Sequence, residues 1–161
     1  MTRILAFLYG VAAYLVFLAA FLYAIAFVGG FAVPRTVDSG GPGAGTGEAL
    51  LVNTGLLLLF AVQHSGMARR EFKAWWTRIV PKSVERSTYV LLASLVLILL
   101  YWQWRPMPGV VWEVEGDAGR YVLWGLFALG WTQVLVATFV INHWDLFGLR
   151  QVWHRLMDRP Y

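Results

Sequence analysis

The 161-residue chain has no cysteine, and its charges are few: 13 Lys or Arg and 9 Asp or Glu. The first absence excludes a disulfide framework, a thiolate metal site, a cysteine nucleophile and an acylated lipoprotein anchor. The second is as informative. Charged residues make up 14% of the chain, against about 25% in an ordinary soluble domain, so a soluble fold is excluded as well. Phosphate-cradling glycine loops are also missing. The glycine-rich stretch 35–48, RTVDSGGPGAGTGE, fits neither G-x-x-x-x-G-K-[ST] nor G-x-G-x-x-G, and no strand precedes it. It is expected to be a flexible linker. No H-E-x-x-H occurs, and His143 and Asp145, two residues apart, do not share a helix face. No metal site is expected.

What is present is apolar. Hydrophobic residues are 59% of the chain, with nine Trp. Uncharged runs at 4–34, 49–68, 87–104 and 121–144 are each long enough to cross a hydrocarbon core, which needs roughly 20 helical residues. The first run is too long for the core of a secretory signal and is expected to be a retained span. The fold expected is an all-α integral membrane helical bundle, a single membrane domain over 1–161. Its four transmembrane helices fall at about 4–33, 49–66, 87–104 and 121–142. Outer loops are expected at 34–48 and 105–120, a cytosolic loop at 67–86 and a cytosolic tail at 143–161.

The excess of basic residues sets the orientation. Of the 13 Lys and Arg, all but Arg35, Arg105 and Arg120 fall on one side of a four-span topology, so both termini are expected in the cytosol. The basicity is therefore a topology signal, and membrane lipids rather than nucleic acid are the expected partners. Within 67–86, Phe72, Trp75, Trp76 and Ile79 recur at helical spacing among Arg69, Arg70, Lys73 and Arg78. This predicts an interfacial amphipathic helix ended by Pro81, serving either as a lipid anchor or as a lid. Ser87 or Thr88 is positioned to cap the third span. Trp102, Trp104, Trp112, Trp124, Trp144 and Trp153 sit at span ends, as aromatic belts do.

Polar groups at membrane depth are functional candidates by default. Span two carries Asn53, Gln63 and His64; span four carries Thr138, Asn142, His143 and Asp145. Asn53 and Thr138 read as hydrogen-bonding groups between helices. For His64 and His143 a structural and a functional role both stand, because they occur at the same end of two different spans. The clusters Gln63/His64/Ser65 and Asn142/His143/Asp145 are expected to face each other across a cavity at the cytosolic mouth. A haem held by the two histidines is geometrically possible.

Two longer strings are more specific. The stretch 63–104, QHSGMARREFKAWWTRIVPKSVERSTYVLLASLVLILLYWQW, and the segment 141–153, INHWDLFGLRQVW, resemble the bacterial membrane methyltransferases that convert methanethiol to dimethyl sulfide. That family is similar to nitric-oxide-reductase-associated membrane proteins and, more distantly, to isoprenylcysteine carboxyl methyltransferase. The resemblance implies a multi-pass enzyme of the bacterial inner membrane that transfers a methyl group from S-adenosyl-L-methionine to a small thiol on the cytosolic side. Under it, His64 or His143 would act as base, and Arg150 would attract the thiolate or the cofactor's carboxylate. Gln63, Asn142, Asp145 and Gln151 are further binding candidates, and Trp144 or Phe147 would contact the sulfonium through a ring face. The family's chains run on past the position of Tyr161, with an Arg-His-Pro motif and a paired-Glu motif that carry much of the cofactor pocket. Neither motif occurs here. The expectation is therefore a C-terminally truncated fragment or an incomplete cofactor site. The alternative is a non-catalytic or haem-associated membrane protein linked to nitrogen oxide respiration.

Overall fold

A computed structural model describes residues 2–107, 109–110 and 112–161. Among the described residues every regular element is a helix: α1 (Arg3–Gly29), α2 (Thr46–Met67), α3 (Arg70–Trp76), α4 (Glu85–Gln103), α5 (Asp117–Ile141), α6 (His143–Leu146) and α7 (Leu149–Leu156). Four of them, α1, α2, α4 and α5, are long and apolar enough to cross a membrane. The expected all-α membrane bundle is the architecture observed.

α1 and α4 form the centre. α1 packs on α4 and on α7, and α4 packs on α2 as well. The buried face of α1 is built from small residues, Ala6, Gly10, Ala13 and Ala20, which let neighbouring backbones come close where no hydrophobic drive operates between helices in lipid. Gly10 is the tightest point: a Cβ there would lie 2.6 Å from a methyl of Val152 on α7. α5 leans on α1 through aromatic rings, with Phe21 5.5 Å from Trp131, and buries none of its residues.

Where α2 and α4 meet at the end away from the chain termini, the Asn53 carboxamide replaces missing backbone partners. Its Nδ2 donates to the Arg105 carbonyl at 2.8 Å, and its Oδ1 accepts the Arg105 N–H at 2.9 Å. Asn53 is thus the structural interhelix link that its depth in the span suggested. Asn53→Ala is expected to cost about 1–3 kcal/mol, since both backbone groups lose their partner in a buried place; a thermal melt in detergent checks it.

Two local expectations are corrected, and the tail after α5 adds a third feature. α4 begins at Glu85 with Val84 as N-cap and no side-chain cap. Neither Ser87 nor Thr88 can cap it because both lie inside the helix: Thr88 donates back to the Val84 carbonyl at 2.8 Å, and the Ser87 hydroxyl is buried without a partner. The amphipathic segment is helical only over Arg70–Trp76, since the Thr77 hydroxyl takes the Lys73 carbonyl at 2.9 Å and the chain turns there. The tail after α5 is folded rather than plain. Asn142, with φ 139°, breaks the helix, and its Oδ1 caps α6 by accepting the Asp145 N–H at 3.3 Å. Gly148, with φ 81°, then turns the chain into α7, and Val152 docks on Ala6 and Val84.

Candidate active site

The N-terminal ends of α1 and α4, the C-terminal ends of α2 and α5, and the α6–α7 arm meet at one end of the bundle. Most of the basic residues gather there, and it is called the basic end below. The last helical turn of α5 brings Thr138 beneath His143, whose ring is buried at 6% exposure. Both ring nitrogens are engaged by hydroxyls at 2.8 Å, Nδ1 by Thr138 and Nε2 by Tyr14 of α1. The Thr138 hydroxyl donates its single proton to the Leu135 carbonyl at 2.7 Å. It can therefore only accept from His143, which places the proton on Nδ1 and leaves Nε2 to accept from the Tyr14 O–H. Phe139 stacks on the imidazole at 4.3 Å, and the rings of Phe147 and Trp144 meet it edge-on at 4.8 and 5.3 Å.

Burial in this setting lowers the His143 pKa below its ordinary value, because the aromatic shell offers the imidazolium less solvation than water does. The folded state then binds fewer protons than the unfolded chain at mildly acid pH. The contribution of His143 to stability is therefore fully present above about 6.5 and is lost as the pH drops below it. Melting temperature followed from pH 8 to pH 5 is expected to decline on the acid side, and His143→Gln should flatten the decline. A haem iron finds no free nitrogen on this ring.

His64 is seated differently. The Tyr89 hydroxyl of α4 lies 3.0 Å from its Nδ1 and also 3.2 Å from its backbone carbonyl, and Phe60 stacks on the ring at 5.2 Å. Gln63 reaches the Met67 sulfur at 3.2 Å. The two histidines thus sit at the same end of the bundle, each on its own tyrosine, and the clefts between the elements there are lined by other residues.

The polar cleft at this end, about 260 Å³, lies between α3, α4 and the α6–α7 arm. Lys73, Arg86, Asn142, Asp145, Gln151 and Tyr161 line it. Arg86 is held by its Nε, which donates to the Leu146 carbonyl at 2.9 Å, and by its backbone N–H, which donates to the buried Gln151 Oε1 at 3.2 Å. Lys73 is 3.1 Å from Glu85, a carboxylate with only 5% of its side chain exposed. Asp145 accepts the Tyr161 O–H at 2.5 Å and lies 3.9 Å from Arg150. Burial and the bond to Asp145 together raise the Tyr161 pKa, so the phenol stays a donor. A second cleft, about 630 Å³ and mostly apolar, shares Asn142 and is lined by Phe7, Val11, Trp144, Trp153, Arg150 and His154. Among the sequence candidates, Asn142, Asp145 and Gln151 come together and Arg150 stands on the outer side. Phe147 is buried against Phe17, ring centroids 3.9 Å apart.

Two cations, one carboxylate and two carboxamides around a cleft at the polar edge of a membrane bundle suit a small zwitterionic ligand. Across all 161 residues the chain is 62% identical to the methanethiol S-methyltransferase of Mycobacterium tuberculosis and covers 66% of that protein's length. Along its whole length the chain is similar to methanethiol S-methyltransferases. It is also 54% identical to methanethiol S-methyltransferase 1 of Bradyrhizobium diazoefficiens, over 98% of this chain and 55% of that protein. To the Crocosphaera subtropica methanethiol S-methyltransferase it is 48% identical over all 161 residues, 63% of that protein. The chain therefore spans between 55 and 66% of the length of these relatives. No family model and no solved structure matches it.

Four residues that the structure places at the basic end are not among the sequence candidates. Lys73 and Arg86 looked like ordinary positive-inside charges, and Tyr14 and Tyr89 looked like part of apolar runs. The available signal was spacing: Tyr14 lies about three turns from Arg3 and Tyr89 about one turn from Arg86, each at the depth of a histidine on another helix.

Proposed function

We propose that the chain carries out methyl transfer from S-adenosyl-L-methionine to methanethiol, forming dimethyl sulfide, at the polar cleft of the basic end. The observation that carries this reading is the identity to methanethiol S-methyltransferases along the whole chain. The donor chemistry of the cleft fits the cofactor. Lys73 and Arg86 would take its carboxylate, Asp145 its ammonium group, and Asn142 and Gln151 its hydroxyls and ring nitrogens. When bound, S-adenosylmethionine supplies a methyl group on a positively charged sulfur.

The chain's own part is to hold the reactants in line, exclude water and remove the thiol proton. His143, next in the chain to the cleft-lining Asn142 and bonded at Nε2 to the Tyr14 hydroxyl, is the proposed acceptor of that proton, although neither ring lines the cleft. His64 with Tyr89 is the other candidate pair. Trp144, at the mouth of the apolar cleft, offers a ring face to the positive sulfur. The basic end is assigned to the cytosolic side of a bacterial inner membrane by its excess of Lys and Arg, with both termini inside.

Membranes carrying the chain, given methanethiol and methyl-labelled S-adenosylmethionine, are expected to release labelled dimethyl sulfide. No label in the product, while the Mycobacterium relative makes it under the same conditions, overturns the reading.

A further inference from the structure

We propose that the apolar cleft between α1 and the α6–α7 arm is a binding site for one anionic phospholipid. It does not require the methyl-transfer reading, though Asn142 and Trp144 serve in both, and it rests on three observations.

The first is the shape and lining of the cleft. Its walls are Phe7 and Val11 from α1 and Trp144, Leu149 and Trp153 from the arm, around about 630 Å³. On α1, Phe7, Val11 and Leu15 follow at four-residue spacing and so share a face. Leu15 is 57% exposed, so the apolar track leaves the cleft and continues along a membrane-spanning helix. A chain of methylenes fits a track of that kind.

The second is charge. The polar rim carries Arg150 and His154, while Lys82, Arg155 and Arg159 line a separate smaller cleft at the same basic end. The acidic groups nearby each face a cation: Asp145 is 3.9 Å from Arg150, whose side chain stays half exposed, and Asp158 is 2.6 Å from Arg3. Among the described residues Arg155 and Arg159 have no ion pair. The basic end as a whole is left net positive. Each basic residue there favours anionic lipid by about 1 kcal/mol, and a guanidinium matches a phosphate in a two-point bond.

The third is the pair of half-exposed indoles, Trp144 at 55% and Trp153 at 46%, which flank the rim. Indoles prefer the headgroup level, with their ring in the apolar layer and their N–H in the polar one. A phosphate at Arg150 with an acyl chain along Phe7 and Val11 uses all three features at once.

Native mass spectrometry of the full chain, released from vesicles of mixed phosphatidylglycerol and phosphatidylcholine, reads the occupant. One phosphatidylglycerol per chain is expected to be retained. Arg150→Gln should cut that retention about tenfold, the loss of one charge-assisted contact, and Val11→Trp should cut it similarly by filling the track. Arg78→Gln, outside the cleft, should leave it unchanged. Because a cleft variant can lose lipid by misfolding, quenching of tryptophan fluorescence by brominated phosphatidylglycerol gives a second reading on otherwise wild-type packing. Trp153→Phe is expected to remove part of the quenching. Equal retention of the two lipids overturns the proposal. So does retention indifferent to Arg150→Gln and Val11→Trp, and so does a second copy of the chain in place of the lipid.

Discussion

Gly148→Ala is expected to destabilise the protein by about 2–5 kcal/mol and to release the α6–α7 arm. Two costs act at one position. The backbone there has φ 81°, a left-handed conformation that costs an L-residue about 1–2 kcal/mol. A Cβ would also sit 2.7 Å from the Ser87 nitrogen and its hydroxyl oxygen. The nitrogen belongs to the first turn of α4, so the neighbour cannot rotate away, and overpacking of this kind adds about 1–3 kcal/mol. The arm is otherwise held by Val152 in the groove beside Gly10, Phe147 stacked on Phe17, the Arg86 bonds to Leu146 and Gln151, and the His143 cluster. A lower melting temperature and faster proteolysis between α6 and α7 are the expected readouts. Gly55→Ala and Gly130→Ala are the controls, because nothing lies within 4 Å of a Cβ at either helical position. They should be neutral or slightly stabilising, as alanine is the better helix former. If Gly148→Ala melts with the controls, the arm is not docked as described.

The second large effect is on catalysis. Asp145→Asn keeps the size of the side chain and its place beside Tyr161 but removes the one carboxylate in the cleft. A hydrogen bond to a charged group is worth about 1.5–3 kcal/mol, so kcat/KM for S-adenosylmethionine should fall roughly 10- to 150-fold. KM for the cofactor should rise while KM for methanethiol stays nearly constant. A purely structural Asp145 predicts instead a lower melting temperature with both KM values unchanged.

The four long helices were legible because each is an apolar run bounded by charge, and periodicity within them mattered little. The arm was legible only in part. α7 is only eight residues long, but its apolar positions Leu149, Val152, Trp153 and Leu156 recur at i, i+3, i+4 and i+7 among Arg150, His154 and Arg155, the same helical signal as at 72–79. What the sequence does not show is where this helix docks: Gly10 leaves room for Val152. In the site, Asn142, Asp145 and Gln151 were readable as polar groups next to a span end, and the structure gathers them in one cleft. Lys73 and Arg86 were hidden by the orientation rule itself, which accounts for every cation of the basic end without giving any a task. The histidines were visible as a pair at one end of the bundle. Their partners were not, because a tyrosine in an apolar run shows its ring to the sequence reader and its hydroxyl only to the folded neighbour.

The central claim is that the polar cleft between α3, α4 and the α6–α7 arm holds the methyl donor. It is tested most directly by the dissociation constant for S-adenosylmethionine in Arg86→Gln, set beside Arg120→Gln at the opposite end of the bundle, where Arg120 pairs with exposed Asp117 at 3.7 Å. Loss of one charge-assisted contact predicts binding about tenfold or more weaker in Arg86→Gln and unchanged in Arg120→Gln. Equal affinity in the two variants and the parent chain would contradict it.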